Sequence, residues 1–443
     1  NTKGKNKMRI LHYALGFPPW RTGGLTKYCV DLMLTQKEQG YEVALLWPGR
    51  IGLIDKRVRI RKRENWKEIG SYELVNPLPI ALDEGILNCS AYMAAVDLKV
   101  YARFLEDFRP DTIHIHTWMG LHREFLEVTE EMGIRTVFTS HDYYGLCPKV
   151  TLFHGGMTCD EDHNCADCVR CNQTALSLKK ITLMQSPLYR RLKNTHLLIK
   201  IRQKHRKEFF EESSDRGCRV TDGNAAEYRK LREYYISMLE KISFIHFNST
   251  VAEQIYRRYM TPKDSAVISI THRDIKDHRK KKKFDHETLR LTYLGPAKPF
   301  KGFPYLIKTL DELWADDVKN FELHIYSSTS VTRPYITVRQ EGYLYGQLEE
   351  IFGDTDLLVV PSRCYETFGF TVLEALSYGV PVLVSENVGA KDLLDSEFIY
   401  SDLKTSLKDI IMDRQILIYE NMRILSMKLL LQDVTKIYKE NLK

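Results

Sequence analysis

Glu366 and Glu374 bracket the run ETFGFTVLE, and their neighbours decide what chemistry they can do. Leu357–Val360 and Val380–Val384 are apolar enough for strands of a parallel sheet, Gly369 opens a helix over 370–378, and Gly379 ends it. Glu366 thus falls in the loop at a strand's carboxyl end and Glu374 in the helix's first turns, on the edge where open α/β sheets bind ligands. The free amides of a helix start favour an anion such as a diphosphate, and ionised carboxylates favour the hydroxyls of a sugar or ribose. Taken singly, Glu374 would only complement the helix dipole and Glu366 would be a solvated loop residue.

Other residues of matching chemistry stand at strand ends. Lys301 lies at the mouth of the helix entered through Gly302, in the loop PAKPFKG, where a lysine can neutralise a diphosphate; Lys298 shares that loop. His141 follows the strand RTVFTS directly. His114 and His116 alternate along the strand DTIHIH and read as packed rather than catalytic. Gly23 and Gly24, after the first strand, allow a ligand close to the backbone, and no GxGxxG run marks a nicotinamide enzyme.

Five of the nine cysteines, Cys147, Cys159, Cys165, Cys168 and Cys171, fall within one short stretch. Two-residue spacers between thiolates suit a tetrahedral ion, so a structural zinc site is expected, with free or redox cysteines and an iron–sulfur cluster as alternatives.

The run from Asp356 to Ser385 resembles the Glu-x7-Glu signature of family four retaining glycosyltransferases, with Pro361-Ser362 before it and Gly-Val-Pro-Val after it. The resemblance implies that Glu366 contacts the donor sugar, that Glu374 holds the ribose, and that amides around Phe368, Gly369 and Phe370 meet the diphosphate. It further implies that His141 contacts the reacting sugar, that Gly23 and Gly24 lie near the acceptor and diphosphate, and that Lys301 stabilises the leaving nucleoside diphosphate. The family also has an arginine where Pro296 stands, a departure that Lys298 would have to cover. No catalytic metal is implied, and the donor substrate would be a nucleoside-diphosphate sugar.

These residues need a scaffold, and the pattern of elements supplies one. The strand RILHYALGF, the helix from Leu25, and the strand YEVALLW form a βαβ unit; DTIHIH, a helix over 121–132, and RTVFTS form another. Two successive sets of such units predict an α/β chain with two doubly wound, Rossmann-like domains facing a cleft, which the resemblance names the GT-B fold. The expected division is an acceptor-side domain over 1–265, with a cysteine-rich and basic helical insertion at about 145–240, a nucleotide-sugar donor domain over 266–410, and a C-terminal helical segment over 411–443 packing back on the first domain. The charged stretch 271–287 reads as an exposed excursion.

At 443 residues, 28% charged and 43% hydrophobic, the chain has the composition of a folded globular protein, and its net charge of +7 is too modest to imply nucleic acid. From Lys179 to Lys207 basic residues occur without a single aspartate or glutamate, and the segment from Ser177 to Phe209 reads as a basic amphipathic helix. Such a helix suits either an anionic membrane surface or a solvated face on the first domain. The start NTKGKNK has no signal-peptide core and no apolar run is long enough to span a bilayer, so a cytoplasmic place is expected, at the inner face of the membrane if the basic helix docks there. The expected function is transfer of a sugar to a saccharide or lipid-linked glycan acceptor in bacterial surface polysaccharide synthesis. The rivals are a non-catalytic sugar-nucleotide-binding partner and a sugar-nucleotide epimerase or hydrolase.

Overall fold

The computed structural model describes residues 7–52, 54–187, 189, 195, 220–280, 284, 287–418 and 424–439. The basic segment expected as an amphipathic helix lies largely outside them; its described part includes a short helix, Leu178–Met184.

Two parallel sheets organise the chain. The first has eight strands: β1 (Arg9–Tyr13), β2 (Glu42–Pro48), β3 (Arg59–Trp66), β4 (Ile69–Val75), β5 (Thr112–Ile115), β6 (Arg135–Thr139), and, after a small separate hairpin of β7 (Phe153–His154) and β8 (Met157–Thr158), β9 (Phe244–Phe247) and β10 (Ser265–Val267). Their order is β10-β9-β6-β5-β1-β2-β4-β3, all parallel except β3, which runs antiparallel on the edge. Every side chain of β1 except Arg9, and all four of β5 and of β9, are buried, as central parallel strands covered on both faces must be.

The second sheet holds β11 (Leu289–Tyr293), β12 (Phe321–Ile325), β13 (Ile336–Val338), β14 (Leu357–Val360), β15 (Val382–Ser385) and β16 (Ile399–Tyr400), ordered β13-β12-β11-β14-β15-β16 and parallel throughout. The strand order reverses direction between β11 and β14, whose carboxyl ends carry the loops of Lys301 and Glu366. This is the switch point at which doubly wound sheets place ligands.

The helix Met427–Lys439, last of the described elements, packs on the helix Gly24–Glu38 of the first domain and sends Tyr438 among its buried side chains. The helix expected over 121–132 is shorter, Glu124–Glu131, because Leu121 and His122 lie in a buried turn that the Thr117 hydroxyl starts by accepting from the Met119 amide. The stretch expected as an exposed excursion is partly buried: Thr271, His272 and Ile275 are covered because here the chain crosses between the domains. Arg273 is fixed to the first domain by its amide, 2.8 Å from Asp31, and its guanidinium, 2.6 Å from Glu38. Among the described residues no helix is long and apolar enough to cross a membrane.

Candidate active site

The cleft between the two sheets encloses about 650 Å³. Gly23, Gly24, His141, Lys301, Glu366, Phe368, Gly369, Phe370 and Glu374 all line it; Lys298 does not.

Gly302 shows why the lysine loop has this shape. Its φ is +72°, and a Cβ there would come 1.7 Å from the Pro361 carbonyl oxygen, so the loop after β11 and the loop after β14 meet backbone to backbone. Lys301 Nζ thereby reaches Glu366 Oε1 at 2.9 Å, and the Ser362 hydroxyl donates to the same oxygen. Burial alone would lower the Lys301 pKa, but the neighbouring Glu366 charge outweighs it and the ammonium is held above its ordinary range. Glu366 is fixed from behind as well: its amide donates to Asn387 and its carbonyl accepts from Gly389.

Glu374 occupies the other end of the cleft. The helix Phe370–Ser377 follows Gly369, whose φ of +110° suits glycine alone, and Glu374 is 8% exposed. His272 stands beside it with Nε2 3.4 Å from Glu374 Oε1, flanked by the rings of Tyr345 and Phe370. Both His272 ring nitrogens are buried without a hydrogen-bond partner among the described residues, as are both polar atoms of the Asn248 side chain in the same cleft. Buried polar groups of this kind are costly unless a ligand or water completes them. Neither residue is marked by sequence: His272 sits in an interdomain crossing, and Asn248 one residue past β9, where a polar residue reads equally well as the prelude to the helix cap made by Ser249.

His141 is half-buried, and burial pushes its imidazole down to about 3, so it is neutral near pH 7. Its carbonyl accepts from the Thr367 hydroxyl at 2.9 Å, while the Thr367 carbonyl accepts from Ser249 at 2.5 Å, and these bonds lock the histidine loop to the loop after β14. Asp142 is raised to about 6 by burial, with partial relief from the Tyr144 amide 2.9 Å away.

The cations lining the cleft are Lys27 and Lys301. Lys27 is committed to Asp31 at 2.5 Å and Asp274 at 2.6 Å, which leaves Lys301 and the Phe370 helix start as the positive features nearest the paired glutamates. Pro296 lines the cleft but offers only its carbonyl, which accepts from Tyr293 at 2.8 Å.

The five clustered cysteines are outside the lining of this cleft, although Val150 and Thr151 of the same loop belong to it. Among the described residues, Asp162, Cys165 and Cys168 bring their ligand atoms within 4.8 Å of one another, while Cys147, Cys159 and Cys171 fall outside that group. Arg232 contacts it, 2.5 Å from Asp162 and 3.5 Å from the Cys168 sulfur.

Comparison with known proteins fits this geometry. The family model described as Glycosyltransferase Family 4 matches residues 22–169, and that described as Glycosyl transferases group 1 matches 288–409. An uncharacterized glycosyltransferase of Methanocaldococcus jannaschii is 24% identical over 37% of this chain and 47% of its own length. An uncharacterized 41.2 kDa protein in the cps region of Klebsiella pneumoniae is 29% identical over 22% of this chain and 28% of its own length. The chain thus spans about half or less of the curated relatives it matches.

Solved structures align along nearly the whole chain. HepE of Anabaena, in complex with UDP and glucose, has a TM-score of 0.52 at 12% identity, covering 97% of this chain and 99% of its own. A glycosyltransferase from Rickettsia africae has a TM-score of 0.53 at 13% identity, covering 99% and 100%. A trehalose-6-phosphate synthase studied for glycosyl transfer with retention has a TM-score of 0.55 at 10% identity, covering 98% and 99%. At such identities the likeness is one of fold. With a family 4 domain at 22–169 and a group 1 domain at 288–409 set on a GT-B fold, the chain is of the group 1/family 4 glycosyltransferase type.

Proposed function

We propose that this chain transfers a sugar from a nucleoside-diphosphate sugar to a hydroxyl acceptor with retention of anomeric configuration, in the assembly of a bacterial surface polysaccharide or lipid-linked glycan. In this reading the acceptor binds on the side of residues 1–265 and the donor on the side of residues 266–410. The observation that carries it is the Lys301–Glu366 pair, at 2.9 Å, facing the same cleft as Glu374.

Lys301 and the amides at Phe368, Gly369 and Phe370 then stabilise the charge that develops on the departing diphosphate, in a cleft already shaped for it. Glu366 accepts from donor-sugar hydroxyls and Glu374 from the ribose, with His272 completing the ribose end. Neutral His141 meets the reacting sugar. The acceptor hydroxyl attacks from the face the diphosphate leaves, and a phosphate oxygen takes its proton. The likeness to a synthase studied for retention, and to a relative from a cps region, supports the stereochemistry and the pathway. In the cysteine loop, Cys147, Cys159, Cys165, Cys168 and Cys171 supply the ligands of a structural zinc; elemental analysis of the purified protein reads whether it is bound.

The test is a thermal-shift and turnover screen against UDP-, GDP-, ADP- and dTDP-sugars, with Glu374→Ala as control and the anomeric proton coupling of the product read by NMR. One nucleotide class should stabilise and be consumed by the wild type, lose its effect in the control, and yield product of unchanged anomeric configuration. Stabilisation without turnover would instead favour a binding partner, the reading to which Pro296 in place of a cleft arginine points. Consumption of the donor without any acceptor product would indicate an epimerase or hydrolase.

A further inference from the structure

Behind His141 four of the first domain's buried histidines, His12, His114, His116 and His246, are joined by contacts that run in one unbroken line. His141 Nε2 lies 3.3 Å from His116 Nδ1, and His116 Nε2 lies 2.9 Å from His12 Nδ1. His12 Nε2 meets Gln36 Oε1 at 2.8 Å, and Gln36 Nε2 meets the Tyr438 hydroxyl at 3.1 Å. The Tyr438 hydroxyl is 2.6 Å from His114 Nδ1, and His114 Nε2 is 2.7 Å from the Thr139 hydroxyl. That hydroxyl is 3.0 Å from His246 Nδ1, and His246 Nε2 ends the line 2.7 Å from the Ile268 carbonyl.

A carbonyl can only accept, and this fixes the whole line. His246 must carry its proton on Nε2, so its Nδ1 is bare and accepts from Thr139. Thr139, its proton spent, accepts from His114 Nε2, which leaves His114 Nδ1 bare to accept from Tyr438. Tyr438 therefore accepts from the Gln36 amide, which sets the amide's orientation, so that Gln36 Oε1 accepts from His12 Nε2. His12 Nδ1 then accepts from His116 Nε2, and His116 Nδ1 accepts from His141 Nε2. Reversing the line, including a flip of the Gln36 amide, would bring the bare His246 nitrogen against the Ile268 oxygen, lone pair to lone pair.

We propose that this one-way hydrogen-bond line fixes the tautomer of His141, holding its proton on Nε2 and its Nδ1 lone pair available to the cleft, and that Gln36 and Tyr438 are thereby positioning residues. Because His141 Nδ1 accepts rather than donates, the group it favours is a sugar hydroxyl presenting its hydrogen. The inference that this matters for transfer rests on the proposed glycosyltransferase reading; the tautomer itself does not. All five rings are neutral near pH 7: burial pushes His12 and His246 down to about 4, His141 to about 3, and His114 and His116 well below the ordinary histidine range. Tyr438 belongs to the helix Met427–Lys439, so the end of the chain sets the proton position of a residue in the cleft.

The experiment is nitrogen-15 NMR of the full chain carrying labelled histidine, with the His141 signals assigned by their loss in His141→Gln. The wild type should show a pyridine-type nitrogen at His141 Nδ1 and a protonated one at Nε2. Tyr438→Phe and Gln36→Met each cut the line between His12 and His114, so the His12–His116–His141 segment can point either way and both tautomers should appear. His122→Gln, outside the line, should leave His141 unchanged. If turnover is established, the two cut variants should lower kcat about twofold, following the fraction of the competent tautomer, with the melting temperature of at least one of them kept. A pyridine-type Nε2 at His141 in the wild type would overturn the proposal, as would one unchanged tautomer in both cut variants. Because the tautomer is read without turnover, its failure is separable from failure of the transferase reading, which would leave the spectra as expected and the donor screen blank.

Discussion

Acid should unfold the first domain well before its carboxylates are titrated. His12, His122 and His246 are each at most 3% exposed, and burial pushes each from the ordinary 6.5 down to about 4. Above pH 6.5 these rings are neutral in both folded and unfolded chains. Between 6.5 and about 4 only the unfolded chain takes up the protons, so stability is lost as pH falls through that window. Each histidine removes about 1.4 kcal/mol per pH unit, and the three together about 4 kcal/mol per unit. By pH 5 these three alone cost about 6 kcal/mol, against roughly 5–15 kcal/mol for a whole domain, and His141, His114 and His116, pushed lower still by burial, add to the loss in the same sense. Asp142 works the other way: its raised pKa of about 6 makes the folded chain the better proton acceptor between 3.8 and 6, which offsets about one histidine's share. Urea unfolding followed by tryptophan fluorescence reads the first domain, which holds buried Trp118 stacked on Phe138. The midpoint should fall steeply below pH 6.5 and reach zero urea by pH 5, with about five protons taken up per molecule on unfolding: one for each of these six histidines, less about one for Asp142. A midpoint unchanged between pH 7 and pH 5 would refute the reasoning.

Three other outcomes follow from the cleft. Lys301→Met should weaken nucleoside-diphosphate binding at least tenfold, about 1.4 kcal/mol or more, as measured by calorimetry; unchanged affinity would remove Lys301 from the diphosphate site. Pro296→Arg should add a further cation to the cleft and tighten the same ligand by about tenfold, and a null effect would show that this position does not face the phosphates. Gly302→Ala must abandon a positive φ and displace the Pro361 carbonyl, so a loss of about 3 kcal/mol in denaturant stability is expected, together with weaker donor binding; an alanine variant as stable as the parent would mean the two loops do not meet as described.

Some of this was legible before any coordinates. Glu366, Glu374, Lys301 and His141 were accessible because each sits a fixed few residues from a strand end or a helix-breaking glycine, and local spacing carries that information. His272 was not, since its stretch is charged and poor in apolar residues, and nothing local shows that a crossing chain is covered from both sides. The expectation for Lys298 rests on its neighbourhood in sequence, which does not fix whether a loop side chain joins the cleft lining, and Lys298 is not part of it. The hairpin of β3 and β4 also escaped notice, because β3 is an edge strand whose sequence RIRKRENW is dominated by exposed charge rather than by an alternating apolar face. The histidine line was half visible: His114 and His116 were expected to be packed, but their partners come from β1, β6, β9 and the C-terminal helix, and distance along the chain hides such company.

The return of the chain to its starting domain has a mechanical consequence. The second domain is tethered at both its beginning and its end, and the two tethers are stitched together where the Thr271 hydroxyl donates to the Leu425 carbonyl at 2.7 Å. A body held by two joined straps can swing about the line through them but cannot slide away or spin freely. Across the cleft Thr250 grips Asp392 at 2.5 Å and 2.7 Å, and Ser249 and His141 hold Thr367, so any opening must break these bonds while the joined straps stay in place.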